Sequence, residues 1–146
     1  INKSNKKLEE KIEVASRLEL LEIEIIGIFR NGSQKRNQFR NRSLEKLNIN
    51  FTLGENDLAK IEVKDLYIIL EKPSGEVIYD ISNGSGSFTF EKREMFFTIK
   101  EEVLIDKSEK KLSVEYSIND EFNKGTYLVT LYTDEYKIGS GEFLIK

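Results

Sequence analysis

The residues best suited to bind a ligand are basic side chains in the segment spanning residues 30–46. This segment has a net charge of +5, because six basic residues are opposed only by Glu45. Since the whole chain has a net charge of −3, the residues outside the segment have a net charge of −8. Guanidinium groups bind carboxylates and phosphates through paired hydrogen bonds. The segment is therefore a candidate site for an acidic lipid, nucleic acid or acidic protein. The candidate ligand-binding residues are Arg30, Lys35, Arg36, Arg40 and Arg42.

Phe39 lies among these basic residues, and whether its ring is exposed or buried distinguishes two interpretations of the segment. An exposed ring there would allow a nucleic acid base to stack on it. The alternative is a solvated loop with Phe39 packed onto the domain. We favour the loop, and we expect no nucleic acid partner because the chain as a whole is acidic.

Catalytic and metal chemistry have little support in the composition. The chain contains no His and no Cys, which removes imidazole general bases, catalytic triads and thiolate metal ligands. Glu55, Asp57, Asp134 and Glu135 are candidate Ca²⁺ ligands, but their spacing is not that of a ligand-rich loop. We therefore predict a protein that is not an enzyme and needs no cofactor or metal.

A carbohydrate-binding surface is an alternative suggested by the tyrosines. Aromatic rings on an exposed sheet face can stack on sugars, although the chain has no Trp, the residue best suited to this role. The opposing interpretation is that these rings cover the edges of a sheet. The candidates are Tyr67, Tyr79, Tyr132 and Tyr136.

The elements that must position these residues are predicted to be β-strands. Leu47, Ile49, Phe51 and Leu53 alternate with polar residues, as expected of a half-buried strand. Similar alternation between turn signals predicts eight or nine strands in residues 20–146, including one strand over Met95–Ile105. Residues 31–43 lack periodicity and are predicted as a loop. Because no helical segment intervenes, we expect one antiparallel β-sandwich domain.

The first residues have a different pattern. Residues 3–19 are rich in helix-forming Lys, Glu, Leu and Ala. Their apolar positions step by three and four, which is typical of a coiled-coil seam. We predict a helical segment, residues 1–19, that ends a coiled coil and self-associates into a dimer or oligomer, the alternative being a helix packed on the domain itself. The seam residues are Asn5, Leu8, Ile12 and Ala15.

The stretch from Asn123 to Val129 favours an immunoglobulin-like sandwich. Such domains carry a buried Tyr near the start of the sixth strand, with its hydroxyl bonded to the preceding corner, and Tyr127 occupies that position. Val129 would then take the place of the second Cys of an antibody domain, and Phe51 or Ile49 would take the place of the first Cys. Ile68 would take the place of the buried Trp. The fold prediction is mainly β, an immunoglobulin-like antiparallel β-sandwich preceded by a short N-terminal α-helix.

Several longer stretches carry a family resemblance. LNINFTLGEN, DLYIILEKPSGEVI, GSGSF and FNKGTYLVTLYTDEYKIGSGEF resemble uncharacterised Gram-negative envelope proteins. Those proteins have an N-terminal membrane anchor, a coiled coil and a C-terminal immunoglobulin-like domain. The resemblance implies a location in the cell envelope, with membrane contact only through an anchor upstream of this chain. The expected function is a non-enzymatic interaction or scaffold module displayed on a coiled coil, with a protein or a second copy as partner.

Overall fold

The computed structural model describes residues 17–118 and 122–146, and these residues are mainly β. They contain no α-helix, and the only helical element among them is a short 3-10 turn at Ile81–Asn83. The strands are β1 (Leu20–Phe29), β2 (Gln34–Arg36), β3 (Gln38–Phe39), β4 (Leu44–Leu53), β5 (Glu62–Glu71), β6 (Gly86–Phe90), β7 (Arg93–Phe97), β8 (Ile99–Ile105), β9 (Lys110–Ser117), β10 (Gly125–Tyr132) and β11 (Lys137–Ile145).

Two sheets enclose the main hydrophobic core. The first sheet has the strand order β2-β1-β4-β9, and the second has the order β3-β11-β10-β5-β8. The alternation in β4 is confirmed, since Leu47, Ile49, Phe51 and Leu53 are at most 2% exposed. These residues share one core with the inward residues of the second sheet, including Leu66, Ile68, Val129, Leu131 and Phe143.

The chain crosses from the first sheet to the second at Asn37. This residue has a left-handed backbone, with φ of 61°, and its side-chain oxygen accepts a hydrogen bond from the Ile25 N–H at 2.9 Å. The next residues form β3, which runs parallel to β11 with Gln38 opposite Leu144. The predicted loop at 31–43 is therefore wrong in part, because it contains β2 and β3. The expectation of a wholly antiparallel arrangement is wrong at this one pair.

Strands β6 and β7 form a separate hairpin on the outer face of the second sheet. Its rings pack with Tyr67 and Tyr132 in a second cluster, in which the Tyr67 and Phe88 rings stack at 4.1 Å. The single strand predicted over Met95–Ile105 is interrupted at Thr98. This fully buried residue accepts a hydrogen bond from the Leu70 N–H and donates one to the Ile78 carbonyl.

The predicted N-terminal helix falls mostly outside the described residues, and so does the whole seam of Asn5, Leu8, Ile12 and Ala15. Its predicted end is corrected, because Arg17 lies in a bend and Leu18 and Glu19 are not helical. The buried Leu18 donates its N–H to the Tyr136 hydroxyl at 2.8 Å, which anchors the segment before β1. Within residues 17–118 and 122–146, no helix meets the length and hydropathy needed to cross a bilayer.

Candidate anion-binding cleft

Two neighbouring turns form the floor of a basic cleft beside β1. The first turn joins β1 to β2 and is closed by hydrogen bonds from the Phe29 N–H to the Ser33 carbonyl and from the Gly32 N–H to the Phe29 carbonyl. The second turn joins β3 to β4 and includes Ser43. The Arg30 N–H donates to the Ser43 carbonyl at 2.9 Å, so the two turns lie side by side. Backbone bonds therefore fix the positions from which the basic side chains extend.

The cleft between these turns has a volume of about 390 Å³. Four of the five predicted basic residues line it, namely Arg30, Lys35, Arg40 and Arg42. The other described lining residues are Phe29, Asn31, Ser33 and Ser43, so the part of the wall formed by residues 17–118 and 122–146 contains amide and hydroxyl groups but no carboxylate. Guanidinium, ammonium, amide and hydroxyl groups can all donate hydrogen bonds to an anion.

The charges of the cleft are available to a ligand. All four basic side chains are exposed, and none of them forms an ion pair with any residue of the two described ranges. Like charges that line one cleft repel one another, and an acidic ligand would relieve that repulsion.

Arg36 and Lys46 belong to the same sequence segment but not to the cleft. The Arg36 Nε lies 2.9 Å from the Glu24 carboxylate, and the Lys46 Nζ lies 2.9 Å from Glu115. The hydrogen bond and charge of Glu115 raise the pKa of Lys46. The structure thus divides the predicted basic segment into four cations that line the cleft without an ion-pair partner among the described residues, and two outside the cleft that are ion-paired.

Phe39 is not available for stacking. Its side chain is 1% exposed, and it packs between Phe29 in an edge contact at 6.2 Å and Phe143 in a stacked contact at 5.8 Å. The idea that a nucleic acid base stacks on this ring is therefore wrong. Phe39 instead attaches β3 to the core beneath the cleft.

The four candidate sugar-binding tyrosines are not brought together. Tyr67 and Tyr132 pack beneath the β6–β7 hairpin, and Tyr136 is 8% exposed. Tyr79 is exposed, but its ring meets Phe96 edge to face at 5.7 Å rather than lying flat with it. The predicted stacking platform is not formed by these residues.

A second cavity, of about 240 Å³, was not signalled by the sequence. Arg17, Lys64, Glu62, Glu135 and Tyr136 contribute to its lining. Burial lowers the pKa of Lys64, but the hydrogen bond to Glu62 and the neighbouring negative charges outweigh this and raise it. Mixed charges already satisfy one another in this cavity, with Lys64 Nζ 3.1 Å from Glu62 and 3.6 Å from Glu135. Its residues come from four distant parts of the chain, so no local pattern could reveal it.

The candidate Ca²⁺ ligands form no ion site. The described residues include no group of three or more acidic side chains arranged to hold a metal ion. Glu55 and Asp57 precede β5, whereas Asp134 and Glu135 lie in the turn between β10 and β11. The two pairs belong to different connections, and Glu135 is directed to Lys64.

Tyr127 lies at the start of β10 with its ring buried. It is 1% exposed, and its ring stacks on Phe122 at 5.1 Å and on Phe143 at 5.0 Å. The hydroxyl donates to the Asn123 carbonyl at 2.8 Å. Burial raises the pKa of Tyr127.

A solved structure of the Pseudomonas fluorescens alkylpurine DNA glycosylase AlkC, bound to DNA containing an abasic site analog, is similar at 15% identity with a TM-score of 0.42. The similarity covers 86% of this chain and 30% of that enzyme, so the chain spans less than a third of its length. No curated protein sequence matches. The family model described as a domain of unknown function (DUF8428) matches residues 21–146, and the chain therefore belongs to that family.

Proposed function

We propose that this protein is a non-enzymatic interaction module with an immunoglobulin-like β-sandwich, and that its cleft binds an acidic segment of a protein partner. The observation that carries the proposal is the convergence of Arg30, Lys35, Arg40 and Arg42 on one cleft, whose described lining residues include no carboxylate. The volume of about 390 Å³ falls in the range typical of ligand sites.

The strand order supports the immunoglobulin-like part of the proposal. Antibody-type sandwiches place the first, second and fifth strands in one sheet and the third, sixth and seventh in the other. Strands β1, β4 and β9 correspond to the first set, and β5, β10 and β11 to the second. The buried Tyr127, whose hydroxyl bonds to the backbone four residues earlier, has the geometry of a tyrosine corner.

The charge distribution favours an acidic protein segment over a membrane or a nucleic acid. The segment 30–46 carries +5, whereas the rest of the chain carries −8. A bilayer or a duplex presents negative charge over a wide area and would also face this acidic surface. A short acidic segment can enter the cleft while the rest of its own chain stays in solvent.

The setting of the module is part of the same proposal. The resemblance stated above supports a location in the cell envelope and display on a coiled coil through the seam of Asn5, Leu8, Ile12 and Ala15. A module raised from a membrane surface on such a stalk would present its cleft to a second protein rather than to the lipid.

The test compares two double variants of the full chain. Arg40→Ser/Arg42→Ser removes two charges from the cleft, and Arg36→Ser/Lys46→Ser removes two from the same segment outside the cleft. Binding of a fluorescent oligoglutamate peptide is followed by anisotropy at increasing salt. We expect the cleft variant to bind at least about tenfold more weakly, the control variant to stay within about twofold, and affinity of the unsubstituted chain to fall with salt.

The same assay distinguishes the other anionic ligands. Vesicles containing phosphatidylglycerol and single-stranded DNA replace the peptide in parallel titrations. Equal losses in the two double variants, or unchanged binding after Arg40→Ser/Arg42→Ser, would contradict the cleft as the site. Tighter binding to vesicles or DNA than to the peptide would contradict an acidic protein as the ligand.

A further inference from the structure

Among the described residues, strand β9 pairs with β4 alone and so lies at an edge of the first sheet. The side of β9 that faces β4 is identified by Ile118, just after the strand, whose N–H donates to the Glu45 carbonyl. The opposite side is identified by Ser117, which bonds instead to the Asn83 side chain through its carbonyl at 3.0 Å and its N–H at 3.3 Å. Because backbone groups alternate along a strand, even-numbered residues bond toward β4 and odd-numbered residues face away.

Three odd-numbered residues therefore direct their backbone groups to the free edge. The N–H and C=O groups of Lys111, Ser113 and Glu115 have no hydrogen-bond partner on that side among residues 17–118 and 122–146. Their side chains are exposed on the outer face of the sheet. A strand edge of this kind is a template for another strand.

We propose that β9 pairs with the β9 of a second copy of this chain, antiparallel and centred on Ser113. In this arrangement Ser113 faces its own counterpart, and Lys111 of each copy lies opposite Glu115 of the other. The residues that face each other are those with free backbone groups, so each opposing pair can exchange two hydrogen bonds. Opposite charges placed directly across two strands stabilise their pairing.

The alternative registers are each disfavoured by a particular residue. Centring the pair on Leu112 brings Glu109 opposite Glu115, and centring it on Lys111 or Glu115 brings like charges together. Centring it on Val114 requires the backbone of Ser117, which Asn83 already occupies. The register centred on Ser113 is the one that pairs opposite charges and uses only free backbone groups.

The dimer is independent of the cleft. In the first sheet, β9 is one edge and β2, which carries Lys35, is the other. Pairing through β9 would join four strands from each copy into one eight-stranded sheet and leave a cleft at either end. Two clefts on one particle would bind a partner with repeated acidic segments more tightly than one cleft.

Charge reversal gives a direct test in the full chain. Lys111→Glu places Glu opposite Glu115, and Glu115→Lys places Lys opposite Lys111, so each single variant repels itself. Mixing the two restores opposite charges at both positions, as does the double exchange Lys111→Glu/Glu115→Lys in one chain. Lys137→Glu and Glu142→Lys, which alter exposed residues of β11, are the matched controls.

Sedimentation equilibrium and native mass spectrometry measure the association. We expect the unsubstituted chain to approach twice 17.0 kDa with increasing concentration, and each single variant to dissociate at least about tenfold more readily. The mixture and the double exchange should recover the dimer, and the β11 controls should match the unsubstituted chain. Circular dichroism shows that each variant is folded before it is compared.

Three results would overturn the proposal. The first is an unsubstituted chain that stays monomeric up to about 1 mM, where even small interfaces associate. The second is that the single variants dimerise normally. The third is that folded single variants fail to pair when they are mixed. Normal dimerisation of the single variants would place self-association elsewhere, the predicted N-terminal seam being the first candidate.

Discussion

Tyr127 shows how one side chain connects the corner before β10 to the core. Its ring fills space between Phe122 and Phe143, while its hydroxyl satisfies the Asn123 carbonyl. Removing the hydroxyl in Tyr127→Phe keeps the ring contacts and breaks the bond. Because Asn123 is exposed, water can replace the hydroxyl, so we expect a loss of about 1 kcal/mol in the free energy of unfolding.

The same substitution changes the response to alkaline pH. Burial raises the pKa of Tyr127, so the folded protein holds this proton more tightly than the unfolded chain does. The resulting stability is complete below about pH 10, the pKa of an unfolded Tyr, and is lost as pH rises toward the folded value. Urea unfolding across this range should show a smaller alkaline loss in Tyr127→Phe. Part of the loss should remain, since burial also raises the pKa of Tyr67. An identical alkaline loss in both proteins would contradict this account.

Residue types alone indicated that the basic segment could bind an anion, but they did not indicate which of its basic residues line the cleft and which form ion pairs outside it. Lys35 and Arg36 are adjacent in the sequence, yet Lys35 lines the cleft while Arg36 is paired with Glu24. This difference arises because successive residues of a strand point to opposite faces, and β2 is too short for its own sequence to reveal it. The buried position of Phe39 follows from β11, which lies at the other end of the chain.

At the scale of elements, Thr98 is the link between the main core and the β6–β7 hairpin. Its hydroxyl serves the backbones of Leu70 and Ile78, and its carbonyl accepts a bond from the Ser85 hydroxyl at 2.7 Å. Thr98→Val keeps the shape of the side chain but leaves a buried N–H and a buried C=O without partners. We expect the free energy of unfolding to fall by about 2 kcal/mol or more.

The control for this prediction is Thr89→Val in β6, where the residue is exposed. It makes the same change of chemistry without burying an unsatisfied group, and we expect an effect within about 0.5 kcal/mol. Chemical unfolding monitored by circular dichroism measures both variants. Equal stability of the two would show that the Thr98 hydroxyl does not hold these elements together.

The long strands were predictable because one face of each is buried, whereas the interruption at Thr98 was not. Phe97 packs in the outer aromatic cluster and Ile99 packs in the main core. The sequence is apolar on both sides of the break, so it resembles one continuous strand. Strands β2 and β3 were missed for a different reason. Strand β2 has three residues, all exposed, and β3 has two residues, of which one is buried, so neither is long enough to show a period of two.

At the scale of the whole molecule, the second sheet separates two hydrophobic clusters. Strands β5 and β10 lie inside this sheet and have hydrogen-bonded neighbours on both sides, whereas β6 and β7 pair only with each other within the described part of the chain. The hairpin depends on ring packing and on the Thr98 bonds for its attachment. We therefore expect its amides to exchange hydrogen faster than those of β5 and β10, through local opening.

Native-state hydrogen exchange followed by mass spectrometry measures this difference. Adding low concentrations of denaturant should leave the exchange of the hairpin nearly unchanged while that of β5 and β10 accelerates. Equal protection and equal denaturant dependence in the three regions would mean that both clusters open only together with the whole domain.

The overall mainly β architecture followed from the spacing of the predicted strands, but the pairing did not. Strand neighbours such as β1 and β4 are close in sequence, with only the short strands β2 and β3 between them. Strand β11 pairs with β3 and contacts β1 across the core. These two contacts join the two ends of the domain. No local pattern encodes which distant edges meet, so these contacts had to come from the structure.

The position of β11 has a consequence for synthesis. Among strands β1 to β11 it is the last to be synthesised, yet it lies between β3 and β10 in the finished sheet. Until Leu144 and Ile145 emerge, β3 has no strand to pair with, and the Phe39 ring beneath the cleft lacks its stacking partner Phe143. Contacts so distant in sequence form late and slowly. A chain that ends before β11 would therefore carry the basic residues without the support that β11 gives to the floor of the cleft, and we expect it to bind the proposed acidic ligand more weakly than the whole domain does.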